Sequence, residues 1–205
     1  MTRLNDIKDQ LAPYGAQLVC VSKTQSNESI LQLYHENQRD FGENRVQELV
    51  DKYDILPKDI RWHQIGHLQK NKVKYIAPFV HLIHAVDSWG LIETIQKEGA
   101  KNKRIISILL QLKIADEESK YGFNLETLLE VINKLKDQSL PNIQVCGLMG
   151  MASFTDDMTQ IRQEFQVLKD CFNSIKSKYF DQNNQFKEIS MGMSGDYQIA
   201  LESGS

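Results

Sequence analysis

Lys23 ends an apolar run, Leu18-Val19-Cys20-Val21-Ser22, and precedes a polar stretch able to start a helix. Such a run reads as an interior strand of a parallel sheet. A lysine at its carboxyl end stands where α/β barrels build their sites. An amine partly withdrawn from water has a lowered pKa, so more of it is neutral and nucleophilic, as Schiff-base formation with an aldehyde requires. The alternative is a lysine that only flanks a strand and faces solvent. A second group, Ser190-Met191-Gly192-Met193-Ser194-Gly195-Asp196, lies directly before a short helix predicted over 197–202. Barrels often hold phosphate with the loops after strands seven and eight and a short helix. Ser194 offers a hydroxyl, Gly195 permits close approach of backbone N–H groups, and a helix start favours an anion. By itself the segment reads equally well as a helix cap made by Ser194 or Asp196. Lys23 tips the balance, because a ligand carrying both an aldehyde and a phosphate would use both groups.

Other predicted strand ends carry polar residues. The second gives Glu43-Asn44-Arg45, the third His63 and Gly66-His67, the fourth Asp87-Ser88, and the sixth Gly147-Leu148-Met149-Gly150. His63 and His67 are four apart, but no H-E-x-x-H pattern or carboxylate partner accompanies them, so no metal site is expected. His81 and His84 flank a strand start and read as structural or exposed. Lys70, Lys72 and Lys74 read as the solvated side of a helix. Glu43 either orients a basic neighbour near the mouth or is a surface charge.

The elements that must position these residues alternate throughout. Strands are predicted at 17–22, 39–42, 61–66, 82–86, 104–112, 143–149 and 188–193. Helices are predicted near 2–11, 27–36, 44–53, 69–77, 89–99, 124–137 and 157–178. Ile161, Phe165, Leu168, Phe172 and Ile175 recur at intervals of three and four, the strongest helical pattern. Asn27, Ser88, Asn124 and Asp157 are the predicted N-caps. Seven β/α units count toward a single α/β domain over 1–205, a (β/α)8 TIM-type barrel whose eighth strand is missing. The chain stops at Glu202-Ser203-Gly204-Ser205 where that strand should begin, and a natural C-terminal tail is expected beyond it. A doubly wound open sheet is the rival, but no G-x-G-x-x-G or G-x-x-x-x-G-K-[ST] loop follows any strand.

The 205 residues carry a formal net charge of −3, which gives no global basic surface for nucleic acid. Cys20, Cys146 and Cys171 lack metal-ligand spacing, and two of them lie in apolar runs where a free thiol behaves as a small hydrophobe. The N-terminus lacks a signal-peptide apolar stretch and no segment is long enough to span a bilayer, so a cytoplasmic location is expected.

Several stretches carry a resemblance. They are Val21-Ser22-Lys23-Thr24, Phe41-Gly42-Glu43-Asn44-Arg45-Val46-Gln47-Glu48, and Trp62-His63-Gln64-Ile65-Gly66-His67-Leu68-Gln69-Lys70-Asn71-Lys72. Further on come Ser119-Lys120-Tyr121-Gly122, Gly147-Leu148-Met149 and the 190–196 segment. In this order they resemble the YggS/PROSC pyridoxal phosphate homeostasis proteins over nearly the whole chain. The resemblance implies a barrel like the N-terminal domain of alanine racemase, with pyridoxal 5′-phosphate held as a Schiff base on Lys23. It implies that Ser194 and Ser190 help hold the phosphate with Met193 beside it, and that Asn44 and His63 lie around the pocket. His67 stands where the family often has proline, and Lys113 where an asparagine is expected. The family's closing V-R-I-G segment is not found in this chain.

The function implied is a non-catalytic carrier that serves intracellular vitamin B6 homeostasis, a monomer with pyridoxal-phosphate-dependent apoenzymes as transient recipients. The alternative is a racemase-like enzyme. Racemization needs proton donors and acceptors on both faces of the α-carbon, and barrel-type racemases supply one face from a second, β-rich domain that is not found here. A lysine-based aldolase barrel ranks last, since its lysine would sit on a later strand.

Overall fold

The computed structural model describes residues 4–115 and 121–205. Alternating β and helical periodicity becomes alternating elements: α1 (Leu4–Leu11), a 3-10 turn, β1 (Cys20–Val21), α2 (Asn27–His35), β2 (Asp40–Glu43), α3 (Val46–Ile55), β3 (Arg61–Gln64), a second 3-10 turn at Lys70–Lys72, α4 (Val73–Ile76) and β4 (Leu82–Val86). Then follow α5 (Trp89–Lys101), β5 (Ile106–Gln111), α6 (Leu125–Asp137), β6 (Ile143–Met149), α7 (Met158–Tyr179), β7 (Glu188–Ser190) and α8 (Tyr197–Glu202). All seven strands run parallel in one sheet, in the order of the chain. Every strand therefore ends on the same rim, as the site proposed from sequence requires.

The sheet is strongly curled. Ser190 of β7 hydrogen-bonds His84 of β4 at 2.7 Å, although three flat ladder steps would separate those strands by about 14 Å. Ile83, Ile108, Leu110 and Leu148 face outward into the main core with Leu91, Ile92, Ile132, Leu168 and Phe172 of the helices. Leu82, Leu109 and Met149 form a separate cluster on the opposite, concave face, as period-two alternation demands.

The expected barrel is present as seven strands. Among the described residues, β1 and β7 are edges, and α8 is tied to α1 by the Tyr197 hydroxyl donating to Gln10 Oε1 at 2.8 Å. This edge position corrects one expectation. The run before Lys23 is not an interior strand: β1 has one neighbour and two residues, and Val21 is half exposed. The strand expected over 188–193 ends at Ser190, where the loop turns toward α8. Two N-caps hold as expected, Asn124 accepting from Thr127 N and Asp157 from Thr159 and Gln160 N. The cap of α2 is Ser26 rather than Asn27, and Ser88 starts α5 without a side-chain cap bond.

Gly147 shows how closely β6 and β7 approach. It adopts φ +154, and a Cβ there would lie 1.8 Å from the Glu188 carbonyl oxygen. Gly147→Ala is expected to cost more than about 1 kcal/mol through strain and displacement of β7. An unchanged urea midpoint would contradict the close approach.

Candidate functional site

Lys23 lies in the turn directly after β1 and is exposed, with no hydrogen-bond or ion-pair partner among the described residues. The partly withdrawn amine expected from sequence is not what the fold builds, because an edge strand cannot cover its own carboxyl end. What the fold fixes is the turn that carries the amine. Ser22 N donates to Gly42 O at 3.0 Å, and Ser22 Oγ to Glu43 Oε1 at 2.6 Å. Lys52 Nζ, from α3, donates to Ser22 O at 2.6 Å and to Glu43 and Glu48 at 2.7 Å each. Thr24 N donates to Glu48 at 2.6 Å, which supports its left-handed φ of 63. Glu43 is fully buried, so it orients a basic neighbour, Lys52, and is not a surface charge. Burial pushes its pKa up, against the hydrogen bonds from Lys52 and Ser22, and its Oε2 has no hydrogen-bond partner.

The 190–196 segment forms a second rim structure. Met193 N donates to Asp196 Oδ1, while Asp196 N and Tyr197 N donate to Met193 O at 3.0 and 2.8 Å. Asp196 therefore fastens its own loop, and its side chain makes no cap bond to α8. Gly192 adopts φ +87 and lets the loop lie against α8, where a Cβ would meet Ala200 Cβ at 2.7 Å. A Cβ on Gly195 would meet nothing within 4 Å. Among the described residues, nothing accepts from the backbone N–H of Ser194 or Gly195, and the Ser194 hydroxyl has no partner. Two amides, a hydroxyl and open space around a glycine suit a small oxyanion such as a phosphate ester. With only six residues in α8, these donors carry the argument and a helix field does not. Met193 is half exposed on the same loop.

Asn44 stands half-buried after β2, where its carbonyl accepts from Gln64 Nε2 at 3.0 Å. Gly66 packs against it, since a Cβ there would lie 2.6 Å from Asn44 O. At the rim after β3, His67 stacks on Tyr121 with ring centroids 4.0 Å apart and bonds Asp87 at 2.9 Å. The Ser119-Lys120 part of the neighbouring motif lies outside the described residues.

His63 does not reach the rim. It points into the barrel, and both ring nitrogens are engaged. Nε2 faces Asp40 Oδ1 at 3.1 Å, and Nδ1 faces His84 Nε2 at 2.8 Å. His84 Nδ1 in turn faces Ser190 Oγ at 2.7 Å. Sequence reasoning missed this chain, and it also missed the carboxylate partner of His63, which lies 23 residues earlier. The one available signal was His84 itself, a polar residue inside an otherwise apolar strand. Burial alone would raise the pKa of Asp40, but hydrogen bonds from Arg61, His63 and Gln17 outweigh it and hold the carboxyl far below its usual range. Burial, then His63 and His81, push the His84 pKa well down, so it is neutral. Ligand atoms of Asp40, His63 and His81 lie within 4.8 Å of one another. The Arg61 guanidinium grips both Asp40 oxygens, so its charge would oppose a cation there.

Among the described residues no helix is long and apolar enough to cross a membrane. Burial raises the pKa of the Cys20 and Cys171 thiols to about 11, which suits packing better than reactivity.

The family model of the alanine racemase N-terminal domain matches residues 2–203. A pyridoxal phosphate homeostasis protein of Aquifex aeolicus is 37% identical over 191 residues, covering 93% of this chain and 82% of that protein. PipY of Synechococcus elongatus, solved without PLP, superposes with a TM-score of 0.91 at 31% identity, covering 98% of this chain and 93% of that one. The form of PipY with PLP bound gives 0.87 at 30% identity, covering 98% and 92%.

Proposed function

This chain belongs to the alanine racemase N-terminal domain family and, within it, to the YggS/PROSC pyridoxal phosphate homeostasis proteins; from that premise we propose that it binds pyridoxal 5′-phosphate and serves vitamin B6 homeostasis. The observation that carries this reading is the sharing of one rim by an anchored lysine turn after β1 and an unpartnered donor set after β7. PipY, about a third identical, is described with PLP bound, which supports the same cofactor here. The bound cofactor supplies an aldehyde that an amine can hold as a Schiff base and a phosphate that hydrogen-bond donors can hold.

Each residue then has a role set by its surroundings. Lys23 presents its amine from a turn that Lys52, Glu43 and Glu48 keep in place. The Ser194 hydroxyl and the amides of Ser194 and Gly195 hold the phosphate, with Met193 on the same loop and Ser190 beneath it. Asn44 lines the rim between β2 and β3. His63 acts from inside the barrel through His84. The whole of 1–205 serves as one cofactor-binding domain, acting as a monomer in the cytoplasm, with apoenzymes as recipients. A carrier without catalysis fits best. An amine exposed to water gives weak control over which bond of a substrate breaks, and the relatives are named for homeostasis.

Incubation with the cofactor should produce a visible absorbance band that borohydride removes, leaving a cofactor-sized mass on the peptide that contains Lys23. A mass on any other lysine would refute the assignment. Assays with both enantiomers of alanine and other amino acids should show no racemization above the free cofactor; a clear Lys23-dependent turnover would make the protein an enzyme instead.

A further inference from the structure

Hydrogen-bond direction along the interior chain can be counted. Asp40 is ionised, gripped by the Arg61 fork and Gln17, so it only accepts and His63 Nε2 must donate to it. With His63 neutral, its Nδ1 is bare and takes the Nε2–H of His84. His84 is neutral as well, so its Nδ1 is bare and takes the hydroxyl proton of Ser190. A serine has one proton to give. In this state it is directed inward, and Ser190 offers the rim only lone pairs. A dianionic phosphate also offers only lone pairs, so the two oxygens repel.

Resting on the phosphate reading above, we propose that the Asp40–His63–His84 chain makes Ser190 a proton-counting contact, so that a dianionic phosphate ester engages it only when the complex takes up one proton. The proton has two places to go. On His63, it leaves the bond to Asp40 as it was and turns the other two around: His63 Nδ1–H donates to His84, His84 Nδ1–H donates to Ser190, and the Ser190 hydroxyl donates to the phosphate. On the phosphate, it lets the ester's own hydroxyl donate to Ser190. Each arrangement contains the same added proton. His84 is the positioning residue that transmits the requirement, and it touches no ligand itself.

Among the described residues, the charges around the two imidazoles are few. Asp40 on β2, Arg61 on β3 and His81 ahead of β4 act on the pair or on each other, and Arg104, ahead of β5, acts on His81. Cys20 of β1 interacts with Asp40, while Cys146 of β6 interacts with Glu188 of β7. Asp40 and Arg61 keep their charges, since the hydrogen bonds between them lower the carboxyl pKa and raise that of the guanidinium.

Pyridoxine 5′-phosphate is the suitable probe, because it lacks the aldehyde and leaves Lys23 chemistry out of the measurement. Its Kd for the full chain, measured calorimetrically between about pH 7 and 8.5, should rise by up to about tenfold per pH unit, with about one proton taken up per ligand in buffers of differing ionisation enthalpy. Ser190→Ala and His84→Leu should both lose this slope, and Ser190→Ala carries the test if the buried histidine variant does not fold. Equal slopes in parent and Ser190→Ala would overturn the proposal while leaving the cofactor site standing. Failure of the parent to bind the probe at any pH would overturn the phosphate site and the proposal together.

Discussion

Lys23→Ala is expected to abolish the borohydride-fixed cofactor adduct and the absorbance band while leaving the thermal unfolding curve where the parent's lies. The two halves of this result have separate causes. The amine is the only part of the residue assigned to the ligand, so its removal takes away the covalent link completely. The side chain is exposed and has no polar partner among the described residues, so its loss should change stability by no more than about 0.5 kcal/mol. The turn itself remains, because its anchors run through Ser22 and Thr24 backbone atoms. A retained band or an adduct elsewhere would move the site. A lowered midpoint would show that Lys23 holds the fold as well as the ligand.

Lys52→Met is expected to destabilise the protein by about 3–5 kcal/mol, the usual cost of stranding one partner of a buried ion pair. Lys52 and Glu43 are both buried, 2.7 Å apart, and Glu43 already has one oxygen without a partner. Without the ammonium, the carboxylate loses its counter-charge and must take up a proton or let water in. Lys52 also holds the Ser22 carbonyl beside Lys23, so the variant should bind cofactor more weakly even where it is folded. Adding Glu43→Leu should recover part of the stability, since an apolar pair asks for no counter-charge. Urea titrations of the two variants decide the matter. A single variant that loses less than about 1 kcal/mol would mean that water already screens the pair.

Much of the fold could be read directly. β4 and β6 occupy the predicted spans, and helices such as α6 and α7 agree to within a residue of theirs. Strand periodicity is local: each element buries one face, and the spacing of apolar residues along it records which face. The rim residues Lys23, Asn44 and Ser194 could be named for a similar reason. In a parallel sheet the carboxyl ends share one side whatever the strand order.

Three features were decided only by the tertiary structure. One is the exposure of Lys23: the apolar run before it looks interior by composition, yet β1 is an edge, and being an edge depends on which neighbours a strand has. Another is the role of Glu43, which composition left open between surface charge and buried partner. It becomes buried because α3 folds back and places Lys52 over it. The last is the chain through Asp40, His63, His84 and Ser190. Its members are scattered between positions 40 and 190 and belong to four strands: Asp40, His63 and His84 lie on the neighbouring strands β2, β3 and β4, and Ser190 joins them because the sheet curls until β7 faces β4 across the interior. The sequence by itself determined the elements and the rim, since those follow from short-range periodicity and a common strand direction. Curvature determined which polar groups meet inside, since it sums small twists over all seven strands and no single segment records it.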